Sequence, residues 1–199
     1  MFRKLSCLFV FASMAAACGT EGPDAAGAPT SDPTVNALEA SGQVEFFVKI
    51  VSANGTTFRG ESTSAVFRDS IPAIRYYSDV NKGTSGLAHC TAFRFTKVAG
   101  PSDPQVFASV ASGETLQSVH FDFVKSYNNF IWQQVDLTGV RNSMVEQAVS
   151  PPDNLSASLV LEETTLVPVS TATVKLTSIP QQADGSAGPA IVTTFTCRP

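Results

Sequence analysis

From Ser118 to Lys125 the chain alternates strictly. Val119, Phe121 and Phe123 fall on one side of an extended backbone, and His120 and Asp122 on the other. The same period of two runs through Phe93–Lys97, where Phe93 and Phe95 alternate with Arg94 and Thr96. One face is buried and the other is wet. Further strands are predicted at Val44–Val51, closed by the Asn54-Gly55 turn signal, and at Ile71–Val80, followed by a glycine-containing loop. Beyond Lys125 the stretches 127–140, 142–149, 157–169, 171–179 and 190–196 all read as strands. Pro180–Pro189 joins the last two, and its Asp184-Gly185 pair suits a tight hairpin connection.

The period changes once. In 100–114, Ser102 or Asp103 caps, Pro104 suits a first turn, and Gln105 completes a weak capping box with Ser102. Val106, Phe107 and Val110 form an apolar stripe, and Gly113 ends the helix. Roughly eight to ten short strands with one short α-helix predict a mainly β fold, an antiparallel β-barrel before a sandwich.

Composition narrows this further. The chain has 199 residues, 43% hydrophobic and 15% charged, with net charge −4. That supports one well-buried core. Thirteen Lys plus Arg are spread without a basic cluster, so no nucleic-acid partner is expected.

The first residues follow a different logic. A short cationic start (Met1–Lys4), an apolar core and the small residues Ala15–Ala17 read as a signal peptide over 1–17. Cys18 follows directly, in a stretch similar to the lipobox of bacterial lipoproteins, whose cysteine is acylated. Ala15 stands where that motif prefers Leu. Residues 18–42 hold four acids and no Lys or Arg after the cysteine, and read as a disordered acidic tether. Its expected reach is on the order of 25–30 Å. The folded domain is expected over 43–199.

Of four cysteines, Cys7 lies in the signal peptide and Cys18 is the lipidation candidate, leaving Cys90 and Cys197. Two cysteines in an exported domain read as one disulfide. Simple alternation sets Cys90 opposite Phe93 and Phe95, whereas Cys197 shares a face with Phe195. The bond therefore requires neighbouring strands with compatible faces.

Other chemistry is thin. His89-Cys90 is at most half a metal site or a Cys/His pair, and His120 with Asp122 supplies two ligands without a third. Glu162 and Glu163 are adjacent on a strand and point to opposite faces, which suits no paired-carboxylate mechanism. The G-x-S-x-G, H-E-x-x-H and P-loop patterns do not occur. No enzyme activity, metal or cofactor is expected.

The order of motifs resembles the haemolysin-coregulated protein (Hcp) family, the tube subunit of the type VI secretion system. Phe46–Ile50 followed by Gly60-Glu61-Ser62 is similar to the family's first strand and loop, and Ile74–Val80 to its second strand. Phe93–Lys97 then 102–114 resembles its F-x-F-x-K strand leading into the single helix. The segments 119–124, 127–140 and 142–149, Glu162–Leu166, and the connection 180–191 follow in family order.

The resemblance implies a compact barrel of two sheets with a helix on its side, and a homo-hexameric ring that stacks into a tube. It also implies an extended loop near Tyr77–Ala88, contacts with other secretion-system components, and no catalytic residues. The signal peptide departs from the family, whose subunits work from the cytoplasm, as does an ending with Cys197 in place of an aromatic-acidic terminus. The expected function is a non-enzymatic, exported assembly protein, attached to the membrane through Cys18. The alternative is a monomeric lipoprotein that binds a small ligand or surface glycan.

Overall fold

The computed structural model describes residues 46–83, 87–125, 128–150 and 159–199. The signal peptide 1–17, Cys18 and the tether 18–42 lie outside the described residues. Among the described residues seven strands and one helix follow in order: β1 (Phe46–Val51), β2 (Ile71–Lys82), β3 (Ala88–Val98), α1 (Asp103–Ser112), β4 (Ser118–Lys125), β5 (Phe130–Ser150), β6 (Leu159–Ser178) and β7 (Ile191–Arg198). Pairing closes a barrel in the order β1-β2-β3-β7-β6-β5-β4, with an additional β3–β6 ladder.

Alternation places the core. Phe46, Val48 and Ile50 of β1 meet Phe121 and Val119 of β4, Phe93 and Phe95 of β3, and Val135 and Leu137 of β5. All are at most 1% exposed. Fully burying each such side chain contributes roughly 1.5–3 kcal/mol, so this cluster dominates stability. Phe47 points the other way and is not solvated either. It stacks on Phe67, ring centroids 4.2 Å apart, with Val98 and Val124 beside it. The segment between β1 and β2 thus covers the outside of β1. Gly60 allows that close approach, because a Cβ there would lie 2.1 Å from the Ser70 carbonyl carbon.

Three expectations change. The stretches 127–140 and 142–149 are parts of one strand, β5. Gly139, at φ +72°, absorbs a bulge rather than ending the strand. Likewise 157–169 and 171–179 merge within β6, apart from residues outside the description. Pairing with β5 skips from Thr173 to Pro168, and across this bend β6 exchanges β3 for β7 as its second neighbour. Gly and Pro are turn signals in sequence, yet a bent strand uses the same backbone freedom. Finally, the connection after β2 is shorter than the implied loop at Tyr77–Ala88. The β2–β3 ladder continues to Lys82 opposite Ala88, since a hairpin arm pairs its backbone without an apolar face.

The barrel is unevenly closed. β1 and β2 share three register pairs, and β3 and β7 only two, Ala88 with Cys197 and His89 with Arg198. Those two are the seams of the ring.

Candidate functional site

The disulfide lies at the second seam. Cys90 and Cys197 are bonded, with Cα atoms 5.6 Å apart and both side chains fully buried. The β2–β3 register passes from Asp79–Ala92 to Val80–Cys90, so Thr91 is an extra residue in β3. This bulge reverses parity and turns Cys90 toward the core side of Phe93 and Phe95, the compatibility that simple alternation denied. The paired thiol also removes the His89-Cys90 nucleophile from consideration.

The helix is held by two polar contacts at its start. Glu61 of the Gly60-Glu61-Ser62 motif is buried, and its Oε1 accepts hydrogen bonds from the Ser102 backbone N–H (2.9 Å) and hydroxyl (2.7 Å). Ser102 therefore donates to Glu61 instead of capping. The expected capping box does not form, because Gln105 Oε1 accepts the Arg59 N–H at 2.7 Å. These two contacts tie the start of the helix to the distant β1–β2 segment, while the Asp103 and Gln105 N–H groups bond to the Gly100 and Ser102 carbonyls.

Beneath α1 lies a buried ion cluster. Lys97 continues the inward side of Phe93 and Phe95 and is fully buried. Its ammonium contacts Asp103 Oδ1, donates to the Val98 carbonyl at 3.3 Å, and lies 3.4 Å from Glu162 Oε1. The Gln147 amide reaches Glu162 Oε2 (3.1 Å) and Asp103 Oδ2 (3.3 Å). Burial pushes the Glu162 carboxyl above its ordinary value. The Lys97 charge opposes that shift, and the Asp103 charge adds to it. Glu163, on the opposite face, lies 3.7 Å from Arg94, so the two glutamates do not cooperate. A lysine two residues after Phe95, on the same strand face, is the signal that could have found this cluster, which was not singled out from the sequence.

His120 gains a second carboxylate. Its Nε2 lies 3.0 Å from Asp122 Oδ1, and its Nδ1 2.5 Å from Asp136 Oδ1, supplied by β5 directly across the ladder. Lys175 of β6 is 3.3 Å from Asp136 Oδ2, and Gln134 donates to Asp122 at 2.7 Å. The hydrogen bond to Asp122 raises the His120 pKa above its usual value, burial opposes it, and Asp136 adds to the rise. Burial resists ionisation of Asp122, but His120 and Gln134 together hold its pKa low. This is a saturated ladder of ion pairs on a half-exposed face. Among the described residues, no group of three His, Cys, Asp or Glu side chains is placed to hold a metal ion.

Most of the apolar stretch Phe130–Leu137 is covered. Val135 and Leu137 are core, Ile131 packs on the outer cluster, and only Trp132 stays 40% exposed, leaning on Phe123. Uncovered apolar side chains lie elsewhere, among them Val66 and Val149 (each 67% exposed) and, on β7, Ile191 (66%) and Val192 (53%).

No protein-family profile matches the chain, and neither does any curated protein sequence. Solved structures do match. A type six secretion system protein is 15% identical, with TM-score 0.62 over 78% of this chain and 95% of its own. A variant Hcp1 protein from E. coli EAEC 042 is 19% identical, with TM-score 0.59 over 76% and 97%. Hcp1 from Salmonella typhimurium is 18% identical, with TM-score 0.58 over 76% and 94%. At these identities the likeness is one of fold, and the chain has an Hcp-like β-barrel fold.

Proposed function

We propose that the protein is an exported, non-enzymatic relative of the type VI secretion tube subunit that works by associating with copies of itself. The observation that carries this reading is the fold. The barrel and its helix correspond to nearly the whole length of Hcp subunits, 94–97% of those chains.

Self-association in that family implies a ring of six. A head-to-tail contact closes only when its rotation fits, and a firmly docked helix and a stapled seam favour one fixed subunit shape. The uncovered Ile191 and Val192 supply apolar surface suited to such a contact. In this reading 1–17 is removed, Cys18 is acylated, and 18–42 tethers the barrel domain 43–199 to a membrane. Tethering places it at the cell envelope, as a ring or as an envelope-associated relative of the tube, with any other secretion-system partner met there.

Light scattering on the mature protein across the micromolar range is the decisive measurement. A mass of six subunits, with rings by negative-stain microscopy, is the expected result. A monomer at the highest concentration would refute ring assembly. Separately, Cys18→Ser should move the protein from the membrane to the soluble fraction, and a soluble wild type would refute the anchor.

A further inference from the structure

Where β2, β3 and β6 run side by side, the outer surface contains a hollow of about 430 Å³. Its walls include Arg75, Tyr77, Arg94, Thr96 and Glu163. The strand register explains the grouping. Arg75 is opposite Thr96 and Thr96 is opposite Glu163, while Tyr77 is opposite Arg94 in the next row. Residues from three strands, up to 88 positions apart by number (163 − 75 = 88), therefore meet on one face. The volume falls in the range of small-ligand sites.

The charges inside do not cancel. Arg94 lies 3.7 Å from Glu163, beyond hydrogen-bonding distance, and its guanidinium sits 5.9 Å from the Tyr77 ring centroid. Most of its donors stay available. Arg75 takes part in none of the ion pairs among the described residues. Two arginines thus line the hollow with one glutamate, which leaves one positive charge in excess. Tyr77 is 56% exposed and offers a flat apolar ring beside them.

Each group constrains the occupant. A guanidinium favours a planar anion held by two parallel N–H bonds, and two arginines line this hollow. Glu163 can only accept, so it repels a second negative charge and calls for hydroxyl donors. The Tyr77 ring favours the C–H face of a compact ring. We propose that this hollow binds a sugar acid. Its carboxylate lies on Arg75 and Arg94, its hydroxyls reach Glu163 and Thr96, and its ring lies against Tyr77. The site is complete within one subunit, so it does not depend on ring assembly.

The test is an amide-resolved NMR titration of the whole mature protein with galacturonate, trigalacturonate, galactose and galactose 6-sulfate. Both uronates should shift β2, β3 and β6 amides around the hollow, and galactose should not. Tighter binding of the trimer assigns the source to a polymer, and equal binding to a free sugar acid. Arg75→Gln, at an exposed strand position, should weaken binding at least tenfold, whereas Arg68→Gln, on an exposed loop outside the hollow, should leave it unchanged. An undisturbed spectrum away from the hollow verifies folding of each variant. Saturation by the sulfate alone, an unaltered affinity in Arg75→Gln, or no saturable shift at millimolar uronate would overturn the assignment.

Discussion

Breaking the Cys90–Cys197 bond should be the most costly single covalent change to this domain. The bond spans a sequence separation of 107 and lies at a seam carrying only two register pairs. Chain entropy for a loop of about a hundred residues assigns roughly 4.7 kcal/mol to such a cross-link, and measured values commonly fall below that ideal. We therefore expect a loss of about 3–5 kcal/mol. For a domain of this size each kcal/mol moves Tm by about 2–4 °C, so the midpoint should fall by on the order of 10 °C. Both sulfurs are buried, so reduction should be carried out in denaturant, followed by refolding with reductant present. That comparison keeps both sulfur atoms in place, unlike a Cys90→Ala/Cys197→Ala variant, which adds two small cavities.

Urea unfolding of oxidised and reduced protein gives the difference directly. Kinetics separate its origin. If the bond acts through the unfolded chain, reduction mainly slows folding. If it acts by holding the seam, reduction speeds unfolding and raises amide exchange along β7. Two titratable thiols in the untreated protein, or equal stabilities within about 0.5 kcal/mol, would refute the reasoning.

Two further predictions follow from the polar clusters. Lys97→Met should cost about 3–5 kcal/mol in urea unfolding, because it leaves Asp103 and Glu162 without their cation. Glu162→Gln should cost clearly less, since Lys97 keeps Asp103 as its partner and burial already disfavours the Glu162 charge, and the reverse order would refute the cluster's assignment. For His120 the folded pKa is raised, so its stabilisation is fully present below about pH 6.5 and is lost as pH rises through the folded value. The stability gap between wild type and His120→Gln should therefore shrink from pH 5.5 toward pH 8 (about one unit below to more than one above the ordinary His value). A gap that widens with pH would contradict the ladder.

Much of the architecture was legible in short-range pattern. Period-two alternation marked β3 and β4, because a half-buried strand must segregate its faces, and the Asn54-Gly55 turn marked the end of β1. Pro104 and Gly113 bounded the helix, since backbone geometry at a helix end depends on few residues. The hairpin connection at 180–189 was equally local. Gly185 takes φ +86°, and the Gly188 N–H returns to the Pro180 carbonyl at 2.7 Å. The likeness to the Hcp barrel rested on the order of these pieces.

What those patterns left open depended on partners distant in the chain. Gly139 and Pro168 are breakers by type, and only the exchange of β3 for β7 along β6 turns them into bends within continuous strands. Thr91 carries no bulge signature, yet the extra residue it contributes decides which way Cys90 faces and so whether Cys197 can reach it. Lys97 shares the inward face of Phe93 and Phe95, but its burial as a cation went unread, because Asp103, Glu162 and Gln147 come from the helix start, β6 and β5. Asp136 joins His120 for the same reason. A strand's own residues determine its two faces, whereas barrel closure determines what each face meets.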